Sequence, residues 1–256
     1  MAPTTYELIN SSWKSTCKIL FGQELGELKE FEDYMKPAAP GQFVTSSVSG
    51  KQIWVASDQY SKKSKFFDYG SELEQFNKIS SKPVDINKIK DLDSLIESLS
   101  EKFVYSGNKV LGNSKFIENS DAIIDSTGVF NSSIVERGKY VAYGYLAREN
   151  ENSFASMSSG QSKYILRCCY NNSLTRCFEV CTTVMASDCY LCYNMLNCTD
   201  CLFTFNVRSK RYMVGNVQLD RDKYYAIKTK LMAELAEELK TTKKLDYSII
   251  DLMNKA

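Results

Sequence analysis

Histidine is missing altogether from this 256-residue chain. Its absence removes Ser-His-Asp and Cys-His nucleophile systems, imidazole metal ligands and imidazole proton relays together. Any catalysis would fall to carboxylates, Lys, Tyr, Cys or a bound metal. Long apolar runs are missing too: no stretch approaches the roughly eighteen residues that read as a membrane helix. The polar opening MAPTTYELINSSWK lacks the basic and apolar regions of a signal peptide. The expectation is a cytoplasmic chain without a membrane partner, in which the sequons at Asn10, Asn131, Asn171 and Asn197 are chance matches. Neither G-x-x-x-x-G-K-S/T nor G-x-G-x-x-G occurs, so nothing points to a phosphate-cradling loop. Excess charge is absent as well, because 32 basic residues nearly cancel 31 acidic ones, which leaves no global field to steer the chain toward nucleic acid.

What is present divides in two. Residues 1–102 read as a small α/β region. Leu25, Leu28, Phe31 and Tyr34 recur at helical spacing over 24–35, with Pro37 and Pro40 ending the run. Segments 42–46 and 52–57 flank Ser49-Gly50 as a β-hairpin would. A helix over 71–79 follows, and then one capped by Asp85 with Ile86, Ile89, Leu92, Leu95, Ile96 and Leu99 as its apolar stripe.

Beyond Phe103 there is no proline, charge thins, and Tyr, Cys, Ser and Asn take over. The tripeptides SKY, TRC, SDC and TDC place Tyr164, Cys177, Cys189 and Cys201 at steps of 13, 12 and 12 residues; Tyr212 follows 11 later and Tyr140 lies 24 earlier. A unit of about twelve residues cannot bury its own apolar face and must stack on its neighbours. The expectation for 103–216 is a β-solenoid, right-handed by general preference, with one or two units in each coil, two (about 24 residues) being preferred. The residues after the register positions, Ile165, Phe178, Tyr190, Leu202 and Met213, are all apolar, and the next column (Leu166, Glu179, Leu191, Phe203, Val214) is apolar except at Glu179. Adjacent columns face opposite ways on a strand, so one face should line the solenoid and the other should meet helices, a second copy or a partner. Residues 217–256 read as a helical cap and tail, with Asp220 as N-cap and Tyr224, Ile227, Leu231, Leu235 and Leu239 at helical spacing.

The stretch 197–216, N-C-x-x-C-φ-x-x-x-N-x-R-x-K-x-Y-x-x-x-N, followed by Asp222-Lys-Tyr224, resembles the C-terminal signature of a family of microbial proteins with repeated Tyr/Cys-rich strands. The resemblance spans roughly 113–239 and implies a solenoid fold, with no activity attached. Some members carry a zinc ribbon ahead of the strands. Here no Cys pair precedes them and Cys17 stands alone.

Three constellations could carry chemistry. Cys189-x-x-Cys192 and Cys198-x-x-Cys201 look like metal knuckles, but only five residues separate the pairs, too few for a ribbon. The repeat accounts for them better as a structural ladder of buried thiols, with Cys177, Cys189 and Cys201 in one column and Cys168 and Cys181 in another. Glu179 is the one charge in an apolar column and a candidate general acid or base, against which stands a satisfied ion pair with Arg167 or Arg176. Arg208, Lys210 and Arg211, with Tyr212 beside them and Lys243 and Lys244 further on, could grip an RNA backbone; the plainer reading is a solvated strand face. The expectation is a non-enzymatic scaffold without cofactor that self-associates or joins a larger assembly through the apolar column Ile165, Phe178, Tyr190, Leu202 and Met213. An RNA- or ribosome-associated factor is the alternative, and an enzyme using a metal or carboxylate ranks third.

Overall fold

Backbone conformation dictates the architecture. A computed structural model describes residues 2–100 and 102–249. From Phe116 to Tyr212 every third residue is left-handed, with φ between 45° and 59° at the non-glycine positions and 68° at Gly128. Each bends the chain after two extended residues. Parallel strands pair at a step of twelve: Val129 with Val141, Val141 with Ser153, Ser153 with Ile165 and Ile165 with Cys177. Twelve residues bent at every third give a four-sided coil, and about nine coils stack. The β-solenoid is as expected, and of the two coil lengths considered it takes the one-unit coil rather than the preferred two-unit one, because four three-residue sides already close the turn.

A left-handed backbone costs a non-glycine residue roughly 1–2 kcal/mol. The stack offsets this with hydrogen bonds between coils on both sides of each bend. Thr127 N–H donates to the Gly138 carbonyl (2.9 Å), and Arg137 N–H to that of Ile124 (2.9 Å). Inside, the side chains at residue numbers divisible by three meet across a narrow channel. Ile123, Val129, Val135, Val141 and Ala147 fill the first coils, and Ile165, Leu174, Cys177, Val180, Cys189 and Cys201 the later ones. Several serines fit the same channel because the hydroxyl serves the coil above: Ser126 and Ser132 accept from Gly138 N–H and Gly144 N–H, both at 2.9 Å.

One outer face is apolar, and the chain covers it itself. Helix α1 (Thr5–Phe21) opens on a Thr4–Glu7 capping box and stops at Gly22, left-handed at φ 76°. It lays Ile9, Trp13, Cys17, Leu20 and Phe21 on the outward column that includes Phe154, Leu166 and Phe178. Trp13 meets Phe154 at 5.4 Å and Phe21 meets Phe178 at 5.1 Å, both edge to face. The helix expected over 24–35 is instead a 3-10 turn (Leu28–Phe31) and a single-turn helix, α2 (Glu32–Met35). The chain bends there to bury Leu25, Leu28, Phe31 and Met35 against α1 and its surroundings.

The hairpin is present as β1 (Gln42–Thr45) and β2 (Gln52–Val55), antiparallel. After β3 (Lys65–Asp68) comes α3 (Leu73–Ser80), where a helix was expected. Asp85 does cap, accepting from Asn87 N–H, but only a 3-10 turn (Ile86–Lys88) follows and α4 (Leu92–Ser100) starts afresh. Strand β4 (Val104–Gly107) then pairs in parallel with β3. A side chain at Gly107 would strike the Trp54 carbonyl, the same oxygen that accepts from Asn108 N–H at 2.9 Å. Asp121 in the first coil ties this small α/β element to the solenoid by accepting from Ala56 N–H (3.1 Å) and Lys109 N–H (2.8 Å). At the other end, strand Arg211–Val214 pairs antiparallel with Val217–Gln218. Helix α5 (Arg221–Thr242), capped by Asp220, seats Tyr224 against Tyr212 of the last coil, passes Lys228 over the Tyr190 ring (5.1 Å) and continues beside α1.

Candidate functional site

The expected docking column Ile165, Phe178, Tyr190, Leu202 and Met213 is not one column. Tyr140, Tyr164 and Tyr212 are left-handed bend residues, whereas Cys177, Cys189 and Cys201 belong with Ile165 and Met213 on the inner wall. The steps of 13 and 11 in the tripeptide register are where the alignment slips by one residue. Ile165 and Met213 therefore point into the solenoid, and Phe178, Tyr190 and Leu202 point outward beneath the flanking helices. All five are buried, at most 4% exposed.

Glu179 sits at a bend, fully buried outside the channel. Its carboxylate takes Arg167 Nε at 2.5 Å, Tyr34 Oη at 3.1 Å, Ser248 Oγ at 2.6 Å and Ile249 N–H at 3.1 Å. Arg167 also donates to the Tyr34 carbonyl (2.5 Å) and to Ser248 Oγ (3.1 Å), with its guanidinium over the Tyr34 ring at 4.0 Å. One carboxylate thus fastens two coils to both the N-terminal and C-terminal segments. This is the satisfied ion pair of the two readings, since every direction around Glu179 holds a protein donor.

Cys177, Cys189 and Cys201 form the expected inner ladder, with Cys168 and Cys192 on the adjoining wall. Cys181 does not share a wall with Cys168. It lies outside and is bonded to Cys169, one coil earlier, by a disulfide spanning a Cα–Cα distance of 4.6 Å. The other seven cysteines are free and buried. Burial pushes the Cys17, Cys168 and Cys192 thiols far above the usual thiol range. Hydrogen bonding with Cys177 and Cys201 raises Cys189, while the bond from Cys189 lowers Cys201. Among the described residues no three His, Cys, Asp or Glu side chains are grouped to hold a metal ion.

The basic candidates do not converge. Arg208 donates to the Asn194 carbonyl (2.8 Å), Arg211 pairs with Asp200 (3.4 Å) and stacks on Tyr212 (4.5 Å), and Lys210 is exposed. Lys243 pairs with Glu30 (2.5 Å) over the Phe31 ring, and Lys244 pairs with Asp246 (3.5 Å). The Arg211 group meets α5 around Tyr224, Tyr225 and Lys228 through Asp200 and Tyr212, whereas Lys243 is the C-cap at the far end of that helix.

A face that the sequence reading passed over remains open. In register up one side run Glu136, Arg148, Gly160, Asn172, Val184 and Leu196. Val184 (40%) and Leu196 (38%) are exposed there, with Met185 (51%) and Tyr170 (54%) at the adjacent bends. Below them lies a shallow polar groove of about 580 Å³ lined by Arg148, Gly160, Gln161, Asn171 and Asn172 among others, with the Asn172 side chain against Gly160. The signal for this face was the spacing of three: once inward residues fall on every third position, the outward ones follow.

The fold and these surfaces define a four-sided, twelve-residue β-solenoid clamped by its own terminal helices. No family model matches the chain, and no curated protein and no solved structure matches it either. Among the described residues no helix is long and apolar enough to cross a membrane.

Proposed function

We propose that the protein is a non-catalytic interaction scaffold that pairs with a second copy of itself through the open solenoid face. The observation that carries this reading is the apolar cluster of Tyr170, Val184, Met185 and Leu196, exposed on neighbouring coils of a rigid stack whose other apolar face is already taken. Exposed apolar patches rimmed by polar side chains mark association surfaces. Two copies related by a two-fold axis would present the same patch to each other, burying the valine and leucine rows together. A cytoplasmic setting is part of the proposal: the seven free thiols suit a reducing compartment, while the Cys169–Cys181 bond weighs against one. The RNA-associated reading has less support, since Arg211, Lys243 and Lys244 already have acidic partners.

Light scattering on the eluting protein across a range of concentrations tests it. A dimer is expected for the native chain, and a monomer with unchanged circular dichroism for Val184→Asp combined with Met185→Glu. A native chain that stays monomeric at every concentration would overturn the reading.

A further inference from the structure

The small α/β element carries a feature unrelated to the solenoid face. Lys65, Lys78, Lys82, Lys88 and Lys102 line one cavity of about 360 Å³ between β3, α3 and the turn before α4, with Asp85 the single carboxylate in its wall among the described residues. Among the described residues none of these five ammonium groups is in an ion pair, although most other cations with a nearby carboxylate are. Lys102 is held by the Ile79 carbonyl at 3.3 Å, which fixes one positive charge at the pocket wall. A chain whose net formal charge is only +1 has therefore gathered five lysines around one concavity. Like charges brought together in this way repel, and the repulsion is relieved by a bound anion of more than one charge.

The shape selects further. The volume falls at the small end of the range for small-molecule sites, about 300–1,000 Å³, and Ile79, Pro83 and Val84 give part of the wall an apolar surface. A long polyanion needs an open track along its backbone; a half-open basic pocket of this small volume, with an apolar side, suits a compact ligand. We infer that this cavity binds a small molecule bearing two or more phosphate groups. The lysines would hold the phosphates as mobile point charges, and Ile79, Pro83 and Val84 would pack against the body that carries them.

Isothermal titration of the full-length protein with inorganic pyrophosphate and with ATP, at low and at moderate salt, tests the inference. Saturable one-to-one binding that weakens as salt rises is expected. Lys82→Gln combined with Lys88→Gln should weaken it tenfold or more, while Lys223→Gln combined with Lys230→Gln on α5 should leave it unchanged. Both pairs are exposed, and matching thermal melts establish that each variant is folded. No saturable binding of either probe, or equal weakening by both variant pairs, would overturn the site. So would single-stranded RNA binding that neither pyrophosphate nor ATP displaces.

Discussion

Arg167 and Glu179 stand at the same corner of successive coils, twelve residues apart, with 2.5 Å between Nε and Oε1 and essentially no solvent at either. Around them meet Tyr34 from the N-terminal segment and Ser248 and Ile249 from the C-terminal one. The pair works as the fastening between the solenoid and the segments that cover it. Glu179→Gln removes the buried carboxylate that Arg167 meets at 2.5 Å, and breaking one side of a buried pair costs about 3–5 kcal/mol. The expected result in urea titration is a loss of that order. Arg167→Met combined with Glu179→Leu should recover much of it, because both charges of the pair are then removed together. A Glu179→Gln protein as stable as the native one would remove this role.

The bends offer a second test, in which position relative to the three-residue spacing decides the sign. Thr182 is exposed and left-handed at φ 51°, so Thr182→Gly relieves about 1–2 kcal/mol of backbone strain. Against this stands roughly 0.4–1 kcal/mol for the freer unfolded chain. A small net stabilisation is expected. Leu174, fully buried on the inner wall, should lose about 2–5 kcal/mol as Leu174→Ala. Thermal melts that rank the two variants the other way would contradict the assignment.

Cysteine counting checks the cross-coil bond. The chain holds nine cysteines, of which seven are free. Alkylation of the unfolded, unreduced protein should add seven labels by mass, with two more only after reduction, on peptides carrying Cys169 and Cys181. Nine labels without reduction would deny the disulfide.

Alkaline pH should unfold the protein early. Burial holds the Cys17, Cys168 and Cys192 thiols far above their usual range and pushes the Tyr143 hydroxyl up to about 12. In the unfolded chain thiols ionise near pH ~8.5 and tyrosines near ~10. The native state therefore keeps protons that the unfolded state releases. This contribution is fully present below about pH 8.5 and is lost as pH rises toward the folded values. The urea midpoint should be level from pH 7 to 8 and fall steadily above 9, and the buried thiols should resist labelling at pH 8 until denaturant is added. A midpoint that rises between pH 9 and 10 would count against this burial.

Much of the solenoid was legible because stacking imposes a repeat on the chain. Cys177, Cys189 and Cys201 share a wall at a step of twelve, and the hairpin around Gly50 follows from its turn residues. The column register was misplaced because Tyr164 and Tyr212 resemble ladder residues, although they are bends one position away from it. Helix α1 was passed over despite the Thr4–Glu7 box, since its opening reads as polar; its apolar residues make sense only against the column they cover. Tyr34, Arg167 and Ser248 meet at Glu179 from segments far apart in sequence, and no local pattern encodes such a meeting. The open face around Val184 was hidden by the same one-residue slip.

The twelve-residue coil with every third side chain turned inward underlies all of these expectations, and methyl-to-methyl NOE measurement tests it most directly. Val129 and Val141 face each other one coil apart on the inner wall, both fully buried. Strong cross-peaks between their methyls are expected, and likewise from Val129 to Ile117. If Val129 showed none to either, and Ile117 instead contacted Val141 directly, the coil would be twice as long and the account would be contradicted.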